Sequence, residues 1–239
     1  MLRSLAPVLA AAALAGCHGH GDEGGGTTVS KTYNVGDFQQ IEVAGPYDVE
    51  VRTGSKASVS AQGSDKVLER TSVEVEGNKL LIHPEHQAGW FHWGWSTHGQ
   101  AHFVVTVPQL NGATIAGSGD IKVDKVSGQS FEGTVAGSGS LSITSMTVQQ
   151  LKMSIAGSGD LKGAGTAQSA KYDIAGSGDI DAAAVQTQSL EATIAGSGGI
   201  KANATGTASI NIMGSGNVDV MGGAKCSISK AGSGNAHCS

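Results

Sequence analysis

The chain has 239 residues, 20 acidic against 15 basic side chains, a formal net charge of -5, 37 glycines and only 4% aromatic residues. So mild an acidity offers nothing to attract a polyanion, and no nucleic-acid partner is expected. Glycine at this density also argues against helical domains, since each costs about 1 kcal/mol in a helix interior.

Residues 1–16 read as a secretory signal, with Arg3 at the charged start, an apolar run from Leu5 to Ala15 and small residues at its end. The apolar run is too short to span a bilayer as a helix. Leu14-Ala15-Gly16-Cys17 resembles the bacterial lipobox, in which the cysteine is lipid-modified and becomes the mature N-terminus. The resemblance implies a cell-envelope lipoprotein whose partner is a membrane, reached through a lipid on Cys17. Each buried methylene of such an anchor contributes about 0.8 kcal/mol. His18 is not the aspartate that retains lipoproteins at the inner membrane in enterobacterial-type sorting, so the outer membrane is favoured, on its periplasmic face or at the cell surface. Residues 17–28, glycine-rich and without apolar period, read as a flexible tether, with His18 and His20 as solvated linker residues.

From residue 29 to 108 the pattern is one of alternating runs, among them "FQQIEVAGPYDVEVRTG", "SVSAQG", "TSVEVEGNKLLIHPE" and "AHFVVTVP". These are strands separated by turn residues. "VEVEGNKLLI" is a hairpin by its turn chemistry, and "SDKVLERT" is the one candidate helical turn.

Residues 83–102 interrupt that pattern with all three tryptophans, Trp90, Trp93 and Trp95, together with Phe91 and five of the eight histidines. Three roles fit an extended loop of this composition. It can cap the open end of a repeat stack, which such stacks require for solubility. It can present Trp90, Phe91, Trp93 and Trp95 as a platform for a glycan or an envelope protein. It can gather His83, His86, His92, His98 and His102 around zinc or copper, although their spacings match no tight motif.

Residues 109–239 carry a repeat. Gly-Ser-Gly begins at 117, 137, 157, 176, 196, 214 and 232, so successive spacings are 20, 20, 19, 20, 18 and 18 residues. A near-constant period in this range means stacked coils, here about seven, each holding two or three short strands. Within "IAGSGDIKV", Ile115, Gly117, Gly119, Ile121 and Val123 share one parity and are expected to face inward. Glycines at fixed phase in a strand mark a bend or a close backbone approach, which makes the triplet a corner of the scaffold. A phosphate cradle would need a following helix N-terminus, and strand follows instead. Calcium-binding glycine-aspartate rolls repeat about every nine residues, half this period. After the triplets only Asp160 and Asp179 set carboxylates on adjacent coils, a pair that solvent or a weakly held cation would separate.

With Cys17 lipid-modified, Cys226 and Cys238 remain as an even pair in an oxidising compartment and are predicted to be bonded. Closing a loop of that length contributes about 3 kcal/mol.

The order Phe38-x-x-Ile41-x-Val43, Tyr47-Asp48-Val49-x-Val51, Val73-x-Val75-x-x-Asn78-x-Leu80-x-Ile82, Val105-x-Val107-Pro108 and then the Gly-Ser-Gly coils resembles the head GIN domain family, described as auto-transporter adhesins. The resemblance covers roughly residues 29 to 239. It implies an all-β fold, a right-handed parallel β-helix preceded by a strand-rich part, with no catalytic residues and no cofactor. Five residues follow the last triplet, so no translocator barrel is expected after it.

An enzyme would need convergent carboxylates, and the coils offer only Asp173, Asp179 and Asp181 as a local acidic group; the last arginine is Arg70. No nucleophile and base pair stands out either. The remaining classes are a surface or periplasmic binding module and an envelope spacer without a ligand. The aromatic segment favours the binding module.

Overall fold

The computed structural model of the chain describes residues 27–85 and 101–239. Of the described residues 77% are strand, and their apolar side chains recur every second position, so a continuous strand can bury one side while it winds. The elements are β1 (Thr28–Tyr33), β2 (Gln40–Ala44), β3 (Asp48–Thr53), β4 (Ser58–Ser64), α1 (Asp65–Glu69), β5 (Thr71–Glu76), β6 (Lys79–Pro84), β7 (Ala101–Val107) and β8 (Gly112–Gly117). They continue with β9 (Asp120–Gly137), β10 (Ser140–Gly157), β11 (Asp160–Gly176), β12 (Asp179–Gly196), β13 (Gly199–Gly214), β14 (Asn217–Met221), β15 (Lys225–Ala231) and β16 (Asn235–Cys238).

Strands β9 to β13 stack in parallel, each making one circuit of a β-solenoid. In β10 the inward residues are Leu141 and Ile143, then Met146 and Val148, then Leu151, Met153 and Ile155, so each circuit has three sides. Equivalent residues form columns: Ile121, Leu141, Leu161, Ile180, Ile200 and Val218 lie one above another, all within 1% exposure. The solenoid has about six turns rather than seven. Seven triplets bound six intervals.

The strands before residue 109 are built into the same stack. β2 pairs in parallel with β8 and β6, and β3 pairs in parallel with β9 and β7. "VAGPYDV" therefore forms a corner in register with "IAGSGDI", Val43 opposite Ile115 and Asp48 opposite Asp120. The hairpin at Gly77-Asn78 forms as its turn chemistry requires, joining β5 to β6 with Gly77 at φ 61°. The helical turn forms as α1, with Leu68 buried.

Beyond β7 the parallel order ends. β4 pairs antiparallel with β7 and β1 antiparallel with β4, while β5 runs antiparallel to β6. These strands and Leu68 of α1 close the first end of the interior, where Tyr47 meets Phe103 edge-on at 5.5 Å. The Tyr47 and Thr71 hydroxyls lie 3.1 Å apart, and the Thr71 hydroxyl donates to the Val67 carbonyl at 2.7 Å. Strand begins at Thr28, the last residue of the expected tether. Residues 17–26 of that tether, Cys17 among them, lie outside the described residues.

At the other end Cys226 and Cys238 are joined across the last circuit, their Cα atoms 6.7 Å apart. Lys230 occupies the column of Ile212, and its Nζ donates to the Gly234 carbonyl. A charged side chain at an inward position of the last rung discourages strand addition at that edge.

Candidate functional site

The triplet corner is held by backbone. The Ser138 N–H donates to the Gly117 carbonyl at 2.9 Å, and Ser158, Ser177, Ser197 and Ser215 repeat the bond on the coils that follow. Gly137 has φ 137°, and a Cβ on it would stand 2.2 Å from the Gly117 oxygen; at Gly139 it would stand 2.0 Å from the Gly119 oxygen. No side chain fits either place, while the serine between them is exposed. The triplet is therefore scaffold, and its glycines permit coils to stack at the corner.

The residues after the triplet serve the same corner. The Asp120 carboxylate accepts the Ser140 N–H at 2.9 Å, and that of Asp179 accepts the Gly199 N–H at 2.7 Å. Among the described residues no three His, Cys, Asp or Glu side chains are grouped to hold a metal ion. The acidic group named from the sequence does not converge: Asp173 lies 3.9 Å from Lys171 on one side of the rod, while Asp181 lies 3.6 Å from Lys162 on another. Burial pushes the Tyr172 hydroxyl far up, but Tyr172 is fully enclosed in the core.

The aromatic segment has a defined origin. Ile82 of β6 is in register with Val43, and His102 of β7 with Asp48. Residues 84–101 thus leave the first circuit at the corner that Gly45-Pro46-Tyr47 and Gly117-Ser118-Gly119 occupy in the next two. Trp90, Phe91, Trp93, Trp95, His86, His92 and His98 lie outside the described residues. His83 and His102 flank them. His83 Nε2 is 2.9 Å from Glu74 Oε1 and its Nδ1 is 2.9 Å from the Pro84 carbonyl oxygen. The Glu74 hydrogen bond, then the Pro84 one, hold the His83 pKa above the usual imidazole range. His102 Nε2 stands 4.0 Å from Glu50 Oε2, and the Glu50 carboxyl is held low chiefly by Arg52, whose Nε donates to it at 2.8 Å.

A second surface feature has no counterpart in the sequence analysis. One side of the rod is hollowed into an open trough of about 940 Å³ running across successive coils, from Lys79 and Gln40 to Ser209. Along it Glu132, Lys152, Lys171 and Glu191 stand in one outward column. Lys152 Nζ donates to Glu132 at 2.7 Å and Lys171 Nζ to Glu191 at 2.5 Å. The two lysines have raised pKa values, each chiefly through its glutamate hydrogen bond. Periodicity places these residues outward, but the hollow is lined by residues of several coils that come together only in the stack.

The sequence profile of the family described as "Putative auto-transporter adhesin, head GIN domain" matches residues 37–224. Among solved structures, a "putative adhesin" from Bacteroides fragilis superposes with a TM-score of 0.80 at 25% identity, over 89% of this chain and 97% of that one. A "putative lipid binding protein" from Parabacteroides distasonis superposes with a TM-score of 0.70 at 25% identity, over 90% and 98%. A "putative adhesin" from Parabacteroides merdae, at 18% identity and a TM-score of 0.67 over 90% and 98%, shares the fold. Among curated proteins none matches.

Proposed function

The chain belongs to the head GIN domain family, and on that premise we propose that it is a non-enzymatic binding or adhesion module of the cell envelope. In this reading a lipid on Cys17 tethers it to a membrane, with the outer membrane favoured. Trp90, Phe91, Trp93 and Trp95 meet the partner, a glycan or an envelope protein. The adhesin-like description of the family and of its structural neighbours supports the class.

The observation that carries the reading is the register of His102 with Asp48 and of Ile82 with Val43. It brings the two strands that flank the aromatic segment to a corner of a rigid stack, and loops that recognise partners are generally borne at such places. Aromatic side chains supply most of the anchoring energy at such surfaces. The described coils present mainly Ser, Thr, Ala, Gly and short charged groups instead. The test is binding of the mature chain to intact cells and to isolated envelope glycans, with membrane association followed in parallel. Cys17→Ser should move the protein to the soluble fraction. The alternative, a spacer without a ligand, predicts no saturable binding at all.

One observation favours a second partner for the same segment. β1, which brings the chain in from the tether, and β6 and β7, which flank the aromatic segment, all lie at the first end of the stack. A chain anchored through Cys17 would hold that end near the lipid, where Trp is favoured at the interface. The name of the Parabacteroides distasonis neighbour, a "putative lipid binding protein", agrees. Sedimentation of Cys17→Ser protein with phosphatidylethanolamine–phosphatidylglycerol vesicles, abolished by alanine at the four aromatic positions, would select this partner over a glycan.

A further inference from the structure

We propose that the trough on the side of the rod binds a neutral, linear glycan lying along the stacking axis, an inference that rests on the binding-module reading above. The size suits it: about 940 Å³ is in the range of ligand-binding clefts. Its shape suits it too, because equivalent residues recur on successive coils about 4.8 Å apart. A site with a translational repeat matches a ligand with one.

The charges decide the class of glycan. Glu132, Lys152, Lys171 and Glu191 run acid, base, base, acid along the trough, each lysine hydrogen-bonded to its glutamate neighbour. Lys79, at the first end, is paired with Glu42 at 2.8 Å. Every lysine lining the trough therefore already has a carboxylate. A phosphorylated, sulfated or uronate-bearing chain would have to displace those carboxylates, and it finds no uncompensated positive field to draw it in. A hydroxyl accepts from an ammonium and donates to a carboxylate without breaking either pair. Along the rim Gln150, Ser169 and Ser189 sit in one column and add further donors and acceptors.

Among the described residues the one aromatic lining the trough, Phe131, is 1% exposed and offers no face for a sugar to stack on. Affinity must then come from many polar contacts repeated along the chain, so longer oligomers should bind more tightly than short ones.

The experiment uses the full mature chain on an array of linear oligosaccharides of increasing length. It holds neutral glucans, mannans, xylans and N-acetylhexosamine chains alongside uronate-bearing and sulfated ones, with isolated envelope polysaccharide as a further probe. Ser169→Trp fills the trough from an outward position, and Lys152→Gln with Lys171→Gln removes its ammonium groups. Lys162→Gln, on another side of the rod, is the control, and melting curves check that each variant folds. The expected result is length-dependent binding to neutral chains that falls about tenfold or more in both trough variants and is unchanged in the control. Preference for charged chains, or neutral-chain binding that survives both trough variants, overturns the inference. If such surviving binding disappears on alanine substitution of the four aromatic residues, the binding-module reading stands while the trough assignment falls. If the wild-type chain binds neither array nor envelope polysaccharide nor cells, both fall.

Discussion

His102 stands in register with Asp48 in the parallel pair of β7 and β3, and Asp48 is in turn in register with Asp120. The described ends of the aromatic segment, in β6 and β7, therefore flank the position that the Gly-Ser-Gly triplet takes two circuits on. Replacing residues 84–101 by Gly-Ser-Gly should convert the first circuit into an ordinary coil. The expected variant is folded, with unchanged β-sheet circular dichroism and a Tm within about 3 °C of the parent, a shift worth roughly 1 kcal/mol in a chain of this size. Loss of cooperative melting would show that the segment holds the end of the stack together.

Gly137 and Ser138 are neighbours with opposite demands. Gly137→Ala puts a methyl 2.2 Å from the Gly117 carbonyl at φ 137°, so the coils must separate or the backbone must rotate. The expected cost is about 3 kcal/mol, in the range of overpacked and strained sites. Ser138 donates only its backbone N–H to the ladder, so Ser138→Ala should change stability by no more than about 0.5 kcal/mol. Urea denaturation of the two variants checks the contrast, and equal effects would contradict it.

Tyr172 is fully buried, and its hydroxyl has no hydrogen-bond partner among the described residues. An unpaired buried hydroxyl costs about 1 to 3 kcal/mol. Tyr172→Phe keeps the ring packing against the aliphatic columns and removes that cost, so it should raise stability by about 1 kcal/mol. A destabilised Phe variant would mean that the hydroxyl is satisfied in the folded protein.

His83 gives the fold a pH dependence whose sign follows from the Glu74 and Pro84 hydrogen bonds. They raise its folded pKa above the ordinary 6.5. The associated stabilisation is fully present below that value and is lost as pH rises through the higher folded pKa. Tm should therefore decline as pH is raised from about 6 through the alkaline side of neutrality. Glu74→Gln should flatten that decline, and a slope unchanged by Glu74→Gln would remove His83 as its source.

How much of this was legible depended on whether a side chain or a backbone shape carried the signal. Ile115, Ile121 and Val123 alternate at period two, so the inward column could be read directly, and seven copies of one triplet set the coil length. Gly45-Pro46-Tyr47 forms the same corner without looking like it. The corner needs a backbone carbonyl at a set place, and the Tyr47 carbonyl accepts the Asp120 N–H at 3.0 Å just as the Gly139 carbonyl accepts that of Asp160 at 3.1 Å. For that reason residues 29–108 read as a strand-rich part before the coils, although β2, β3, β6 and β7 within them continue the parallel stack. The trough was hidden for a related reason. Lys152 and Lys171 are 19 residues apart in sequence but are neighbours in register, and only the coil length brings them together. At the last rung Lys230 breaks the apolar column of Ile212 and obscures the parity there.

The central claim, that the aromatic segment between β6 and β7 anchors the partner at the cell envelope, is tested most directly by replacing Trp90, Phe91, Trp93 and Trp95 together with alanine. Binding to cells and envelope glycans and the melting temperature are then measured on the same preparation. The account predicts binding weakened about tenfold or more, with Tm shifted by no more than about 3 °C. The described strands and Leu68 already close that end of the stack. Undiminished binding would contradict the claim, and a sharply lowered Tm would make the segment a cap over the core.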